Sequence, residues 1–209
     1  MSKLVGLVGW RGMVGSVLMD RMTAEGDFAH IDPVFFSTSN AGGAAPAQAQ
    51  SQRTLQDAND VAALARCDIV LTCQGGDYTK AVYPRLRASG WRGHWIDAAS
   101  ALRMEPEAVI VLDPVNEGLI RQRLAACGRD WIGGNCTNSI LLMGLCGLFR
   151  ADLVEWENRL KINYLITDVA TGERMTRGSS VQVAVEIATR EMLLASPRVF
   201  VEAVERVLA

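Results

Sequence analysis

Gly9-Trp10-Arg11-Gly12-Met13-Val14-Gly15 stands between a short apolar run, Leu4 to Trp10, and a segment with apolar residues at helical spacing, Val14, Val17, Leu18 and Met22. That order reads as strand, tight turn, helix. Glycines at such a turn let the backbone approach a pyrophosphate, and the helix N-terminus supplies oriented N–H groups. The spacing is GxxGxxG rather than the more usual GxGxxG, and close packing alone is the competing explanation for the trio.

Working outward, Val34-Phe35-Phe36 reads as a second strand and Ser37 to Arg53, rich in Ala, Gly, Gln and Ser, as a surface loop. Thr54 to Ala65 and Tyr78 to Ser89 have helical patterns. Asp68 to Cys73, Trp95 to Asp97, Val109 to Leu112 and Trp131-Ile132 read as strands. Strands alternating with helices predict an α/β fold, a Rossmann-like doubly wound parallel sheet, because parallel strands need crossovers and the crossover helices cover both faces. Near residue 159 the rhythm changes. Leu160 to Thr167 and Ser179 to Ala188 alternate apolar and polar residues around a turn at Asp168 to Glu173, which predicts a short antiparallel β-hairpin. Ser196-Pro197 then opens a C-terminal helix. The expected division is residues 1–158 as a dinucleotide-binding domain and 159–209 as a hairpin-plus-helix tail.

Composition narrows the function. With 209 residues, 49% hydrophobic and 21% charged, the chain has enough apolar material for a core, and a net charge of -2 with scattered cations gives no basic field for nucleic acid. The longest apolar run, Ile140 to Phe149, is broken by glycines and shorter than the roughly 20 residues a bilayer needs. The N-terminal residues lack signal-peptide character, so the expectation is a cytoplasmic protein that binds no membrane. Five cysteines form no CxxC pair and the two histidines, His30 and His94, have no ligand-like companions, so no metal site is expected.

NAD enzymes usually carry an acidic residue near the end of the second strand, for the ribose 2′-hydroxyl. Here Ser37-Thr38-Ser39 occupy that place, and with Arg11 in the glycine turn they favour NADP, unless Thr38 and Ser39 merely open a solvated loop. Gln74-Gly75-Gly76 follows the strand ending at Cys73, at the sheet edge where open α/β folds bind ligands, although a plain turn explains those glycines equally well. Cys136, in Gly133-Gly134-Asn135-Cys136-Thr137-Asn138-Ser139, lies at the turn before a helix beginning around Ser139. Nearby helix N–H groups favour thiolate and the glycines leave room for a substrate, so this residue is the candidate nucleophile. Cys67, Cys73, Cys127 and Cys146 read as small buried hydrophobes. A thiolate beside a nicotinamide suggests attack on an aldehyde, hydride loss to NADP, and a thioester left for phosphate or water to cleave. Arg103 could hold an anionic group or be a surface charge near Glu105 and Glu107.

Several of these segments closely resemble bacterial aspartate-semialdehyde dehydrogenase. They are the glycine turn through Met19, Phe35 to Ser39, Thr72 to Tyr78, Trp95 to Ser100, Leu112 to Asn116 and Gly133 to Thr137, so the likeness extends to about Trp156. The resemblance implies Cys136 as acyl-enzyme nucleophile and Arg103 as phosphate or substrate contact. It also implies Gly9, Arg11, Gly12, Met13, Val14, Gly15, Thr38, Ser39, Gln74 and Gly75 around NADP. The implied reaction interconverts aspartate semialdehyde and aspartyl phosphate, a step of amino-acid biosynthesis. The family continues with a substrate domain carrying a Gln, a Glu, a Lys, an Arg and a proton-handling His, none of which matches here. A truncated enzyme is therefore expected, with a non-catalytic NADP-binding or oligomerisation module, self-pairing through the hairpin edge, as the alternative. From about Leu160 the tail more weakly resembles the terminal strands of hot-dog-fold acyl-CoA thioesterases, through Ile166 to Glu173 and Val181 to Val185, which makes a thioesterase-like fusion the third reading.

Overall fold

The computed structural model describes residues 2–151, 165–167 and 174–176. They belong to two compact units, Met1–Val111 with Ala126–Gly133, and Leu112–Ala125 with Gly134–Ala209. The first unit holds a seven-stranded sheet made of β1 (Lys3–Val8), β2 (Ile31–Ser37), β3 (Gln56–Asp57), β4 (Ile69–Thr72), β5 (His94–Asp97), β6 (Ala108–Val111) and β7 (Asp130–Gly133). Their order is β3-β2-β1-β4-β5-β7-β6, with every pairing parallel.

Side chains on a strand alternate between faces, and the core follows that period. Val5, Leu7 and Phe35 join one apolar cluster with Met19 of α1 (Met13–Ala24). Val8, Val34, Phe36 and Val70 join another with Leu64 of α2 (Val61–Leu64) and Val82 and Leu86 of α3 (Gly76–Ala88). Helices therefore cover both faces, as the doubly wound reading expected. Each fully buried Leu, Val or Phe contributes about 1.5–3 kcal/mol relative to an exposed one.

Local differences from the sequence reading have identifiable causes. In α1 the sheet-facing residues are Gly15 and Met19, whereas Val14 and Val17 are exposed. A Cβ on Gly15 would lie 2.2 Å from the Gly9 carbonyl oxygen, so this contact fixes the helix rotation rather than the Val14-Val17-Leu18-Met22 stripe. Thr54 to Ala65 is not one helix. Gln56–Asp57 extends the sheet beside β2, and α2 waits for Asp60, whose Oδ1 accepts from the N–H groups of Ala62 (2.9 Å) and Ala63 (3.2 Å).

In the second unit, α4 (Glu117–Ala125) was not read from the sequence, and α5 (Cys136–Arg150) begins at Cys136 rather than near Ser139. Val115 and Cys146 are buried there against Leu112, Leu142 and Leu145. The strands β8 (Leu165–Thr167) and β9 (Arg174–Thr176) pair antiparallel, with Leu165 opposite Thr176. An antiparallel pair was expected, but the second strand starts earlier in the chain. Residues 177–209, holding the expected strand at Ser179 to Ala188 and the closing helix, and the boundary at 158/159 lie outside the described residues.

Candidate functional site

Strand order reverses beside β1, because β2 lies on one side of it and β4 on the other. Turns after β1 and β4 therefore diverge at the carboxyl edge, which leaves the crevice where open α/β sheets hold ligands. Gly9 occupies the left-handed region with φ 73°, and a Cβ there would lie 2.5 Å from the Gln74 nitrogen. Only glycine lets these two turns approach so closely. Gly12 differs. Its N–H donates to the Gly9 carbonyl at 3.1 Å, and the nearest atom to an added Cβ is 3.4 Å away, so the protein's own packing does not demand glycine there.

Gly9, Arg11, Gly12, Thr38, Ser39 and Gln74 line one cavity of about 300 Å³ in this crevice. Trp10 anchors the turn by donating its indole N–H to the Phe36 carbonyl at 3.2 Å and meeting Phe35 edge-on at 5.3 Å. Arg11 lies over the Trp10 ring, 5.4 Å from its centroid, and its Nη2 donates to Ser37 Oγ at 3.1 Å. Ser37 is buried, and its hydroxyl also accepts from the N–H groups of Asn40 (3.0 Å) and Ser39 (3.3 Å). The lining carries one guanidinium and no carboxylate. This donor set suits an anionic ligand, and in particular a phosphate beside Arg11 and the exposed Thr38 and Ser39.

Met13 and Val14 contribute the first turn of α1 with exposed side chains, while Gly75, at φ 103°, caps α3. Gly15 supports the turn by close packing. Among these candidates, Gly15, Met13, Val14 and Gly75 do not line the cavity. The sequence reading missed Ser37 as the residue that organises the loop; its place at the end of β2, before two exposed polar residues, was the available signal. Cys73 is half-buried and lines the cavity, where burial first and the Asp97 carboxylate second push its thiol up. Asp97, buried at the end of β5, accepts from Thr79 Oγ1 (2.6 Å), the Ala99 N–H (2.8 Å) and the Trp95 indole (3.3 Å).

Arg103 is half-buried, and its Nε donates to the Gly133 carbonyl at 2.8 Å, where β7 ends. Its guanidinium is thus tied to the sheet through Nε. In the second unit, Cys136 is exposed in the first turn of α5. Asn135 caps this helix, its Oδ1 accepting from the N–H groups of Thr137 and Asn138, both at 3.1 Å. Cys67 and Cys146 are buried as expected and Cys73 only half so, but Cys127 is exposed in a left-handed conformation at φ 61°. A position in the loop before β7, outside the apolar clusters, explains that departure. Among the described residues no three His, Cys, Asp or Glu gather as metal ligands, and no helix is long and apolar enough to cross a membrane.

Residues 4–123 match the semialdehyde dehydrogenase NAD binding domain. The chain belongs to the semialdehyde dehydrogenase family. An aspartate semialdehyde dehydrogenase from Francisella tularensis is 48% identical, with a TM-score of 0.70, over 75% of this chain and 43% of that one. Aspartate semialdehyde dehydrogenase II from Vibrio cholerae, solved with ASA, is 18% identical with a TM-score of 0.57 over 72% of this chain and 47% of that one. A probable aspartate-semialdehyde dehydrogenase from Pseudomonas aeruginosa is 17% identical with a TM-score of 0.52 over 94% of this chain and 68% of that one. The last two share the fold. The match covers less than half of the Francisella enzyme. The matched residues take in the glycine turn and strands β1 to β6, while β7 lies beyond them.

Proposed function

We propose that this chain is an NADP-binding protein of the aspartate-semialdehyde dehydrogenase type, with Cys136 as its nucleophile. The observation that carries the cofactor reading is Arg11 held by Ser37 in an acid-free cavity at the switch point of the sheet. Similarity to the Francisella enzyme at 48% identity supports the reaction class. Gly9, Gly12 and the first turn of α1, with Met13, Val14 and Gly15, would lie along the pyrophosphate. Arg11, Thr38 and Ser39 would take the 2′-phosphate, and Gln74 with Gly75 would meet the nicotinamide side. Bound NADP supplies a hydride acceptor.

In the oxidative direction the Cys136 thiolate adds to the aldehyde carbon of aspartate semialdehyde, forming the C–S bond of a hemithioacetal. Loss of hydride from that carbon leaves a thioester on sulfur. Phosphate then attacks the acyl carbon, the C–S bond breaks, and aspartyl phosphate leaves with the thiolate restored. Arg103 suits a phosphate or carboxylate by its planar fork, one nitrogen of which is fixed on Gly133. The alternative is a non-catalytic NADP-binding or oligomerisation module.

The test is NADPH formation by the purified chain given aspartate semialdehyde, NADP and phosphate, with Cys136→Ser beside it. Turnover that disappears in Cys136→Ser is the result expected of the enzyme. NADPH binding without any turnover would favour the module.

A further inference from the structure

At the amino-terminal edge of the same sheet, opposite the glycine turn, lies a second cleft of about 460 Å³. Its lining includes Lys3 at the start of β1, Arg66 and Asp68 before β4, Arg92 and His94 at the start of β5, and Arg129 just before β7. Four cationic residues and one carboxylate thus line the cleft, in a chain whose net charge is -2. Among the described residues none of these cations is in an ion pair, whereas Arg21, Lys80, Arg87 and Arg121 pair with Glu25, Asp77, Asp130 and Glu117. Asp68 is itself engaged, its Oδ2 accepting the Leu4 N–H at 2.9 Å.

His94 adds a ring donor to the lining. The Trp131 indole N–H donates to His94 Nδ1 at 3.0 Å, so the neutral ring carries its proton on Nε2. The ring also registers the local field, because burial first, then Arg129, Arg87 and Lys3, push its pKa down. Arg129 Nη1 contacts the Arg92 carbonyl oxygen. Like charges brought together without ion pairs repel one another, and a multivalent anion reduces that repulsion. Guanidinium forks match phosphate oxygens, and the volume exceeds what a single inorganic phosphate fills.

We propose that this cleft binds a small molecule carrying a diphosphate group, at a site separate from the cofactor crevice. The probe is inorganic pyrophosphate, titrated calorimetrically into the full chain saturated with NADPH, so that the glycine turn is already filled. Saturable binding is expected, stronger than that of inorganic phosphate or citrate and weakened about tenfold or more in Arg66→Gln/Arg92→Gln. Both arginines are exposed and outside the apolar clusters, and unchanged NADPH affinity in the variant would show its fold intact. Lys3→Gln provides a second variant with the same expected direction. Binding absent under NADPH, unaffected by these substitutions, or exceeded by citrate would overturn the assignment. Should NADPH itself fail to bind while pyrophosphate binding still depends on Arg66 and Arg92, the cofactor reading would fall and this one would stand.

Discussion

Arg11, in the turn after β1, donates through Nη2 to the Oγ of Ser37, the last residue of β2, at 3.1 Å. That bond places a fixed positive charge where NAD enzymes usually place a negative one. Ser37→Asp keeps an acceptor for the Ser39 and Asn40 N–H groups while opposing a 2′-phosphate. NADP affinity should fall about ten- to hundredfold and NAD affinity should hold or rise, measured by titration of both nucleotides. Equal losses for the two would mean that the substitution had simply damaged the loop.

Two glycines of the turn should behave differently on gaining a methyl group. Gly15→Ala would drive its Cβ to 2.2 Å from the Gly9 carbonyl oxygen, so a loss of about 3 kcal/mol or more in urea unfolding is expected. Gly12→Ala meets nothing nearer than 3.4 Å and should cost about 1 kcal/mol or less. If the bare backbone at Gly12 serves the ligand, this mild variant should nevertheless lose the rise in Tm that NADPH gives the parent. A full NADPH shift in Gly12→Ala would argue against pyrophosphate lying along this part of the turn.

Cysteine labelling follows exposure. Iodoacetamide near pH 7.5 should modify Cys136 first, with the other exposed thiol, Cys127, behind it because it lacks a helix N-terminus. Cys67 should react last, since burial pushes its thiol up to about 12. Peptide mapping against time checks the order, and Cys127 leading Cys136 would count against an activated nucleophile.

Stability should depend on His94 at mildly acidic pH. Burial, with Arg129, Arg87 and Lys3 and against the opposing Asp130, lowers its pKa in the folded chain from the ordinary 6.5. The unfolded chain therefore takes up the proton first. This contribution is complete above about pH 6.5 and is lost progressively as pH falls toward the folded value. His94→Asn retains an acceptor for the Trp131 indole and removes the titration, so its urea midpoint should change less between pH 7.5 and 5.5 than the parent's. Parallel profiles for the two would refute the assignment.

The parallel strands were legible because β1, β2 and β4 are short apolar runs with turn residues after them, and a strand buried on both faces has that composition. The glycine turn was legible for a steric reason, since Gly9 and Gly15 have no room for Cβ. What escaped was governed by contacts distant in sequence or by single caps. Nothing local in Gln56–Asp57 announces pairing with Phe36 and Ser37, and Asp60 rather than Thr54 starts α2. The mixed polar sequence of α4 offered no apolar stripe, and none of its residues is buried. Ser37 was visible as one hydroxyl among three, but its hold on Arg11, Ser39 and Asn40 required coordinates.

On the proposed function, the cavity beside Arg11 selects NADP over NAD. Calorimetric titration of NADP and NAD into the parent chain and Arg11→Ala tests it most directly. The expected result is tighter binding of NADP by the parent and a gap that closes by about tenfold or more in Arg11→Ala, with NAD little changed. Equal affinity for the two nucleotides in the parent, or a preference that survives Arg11→Ala, would contradict it.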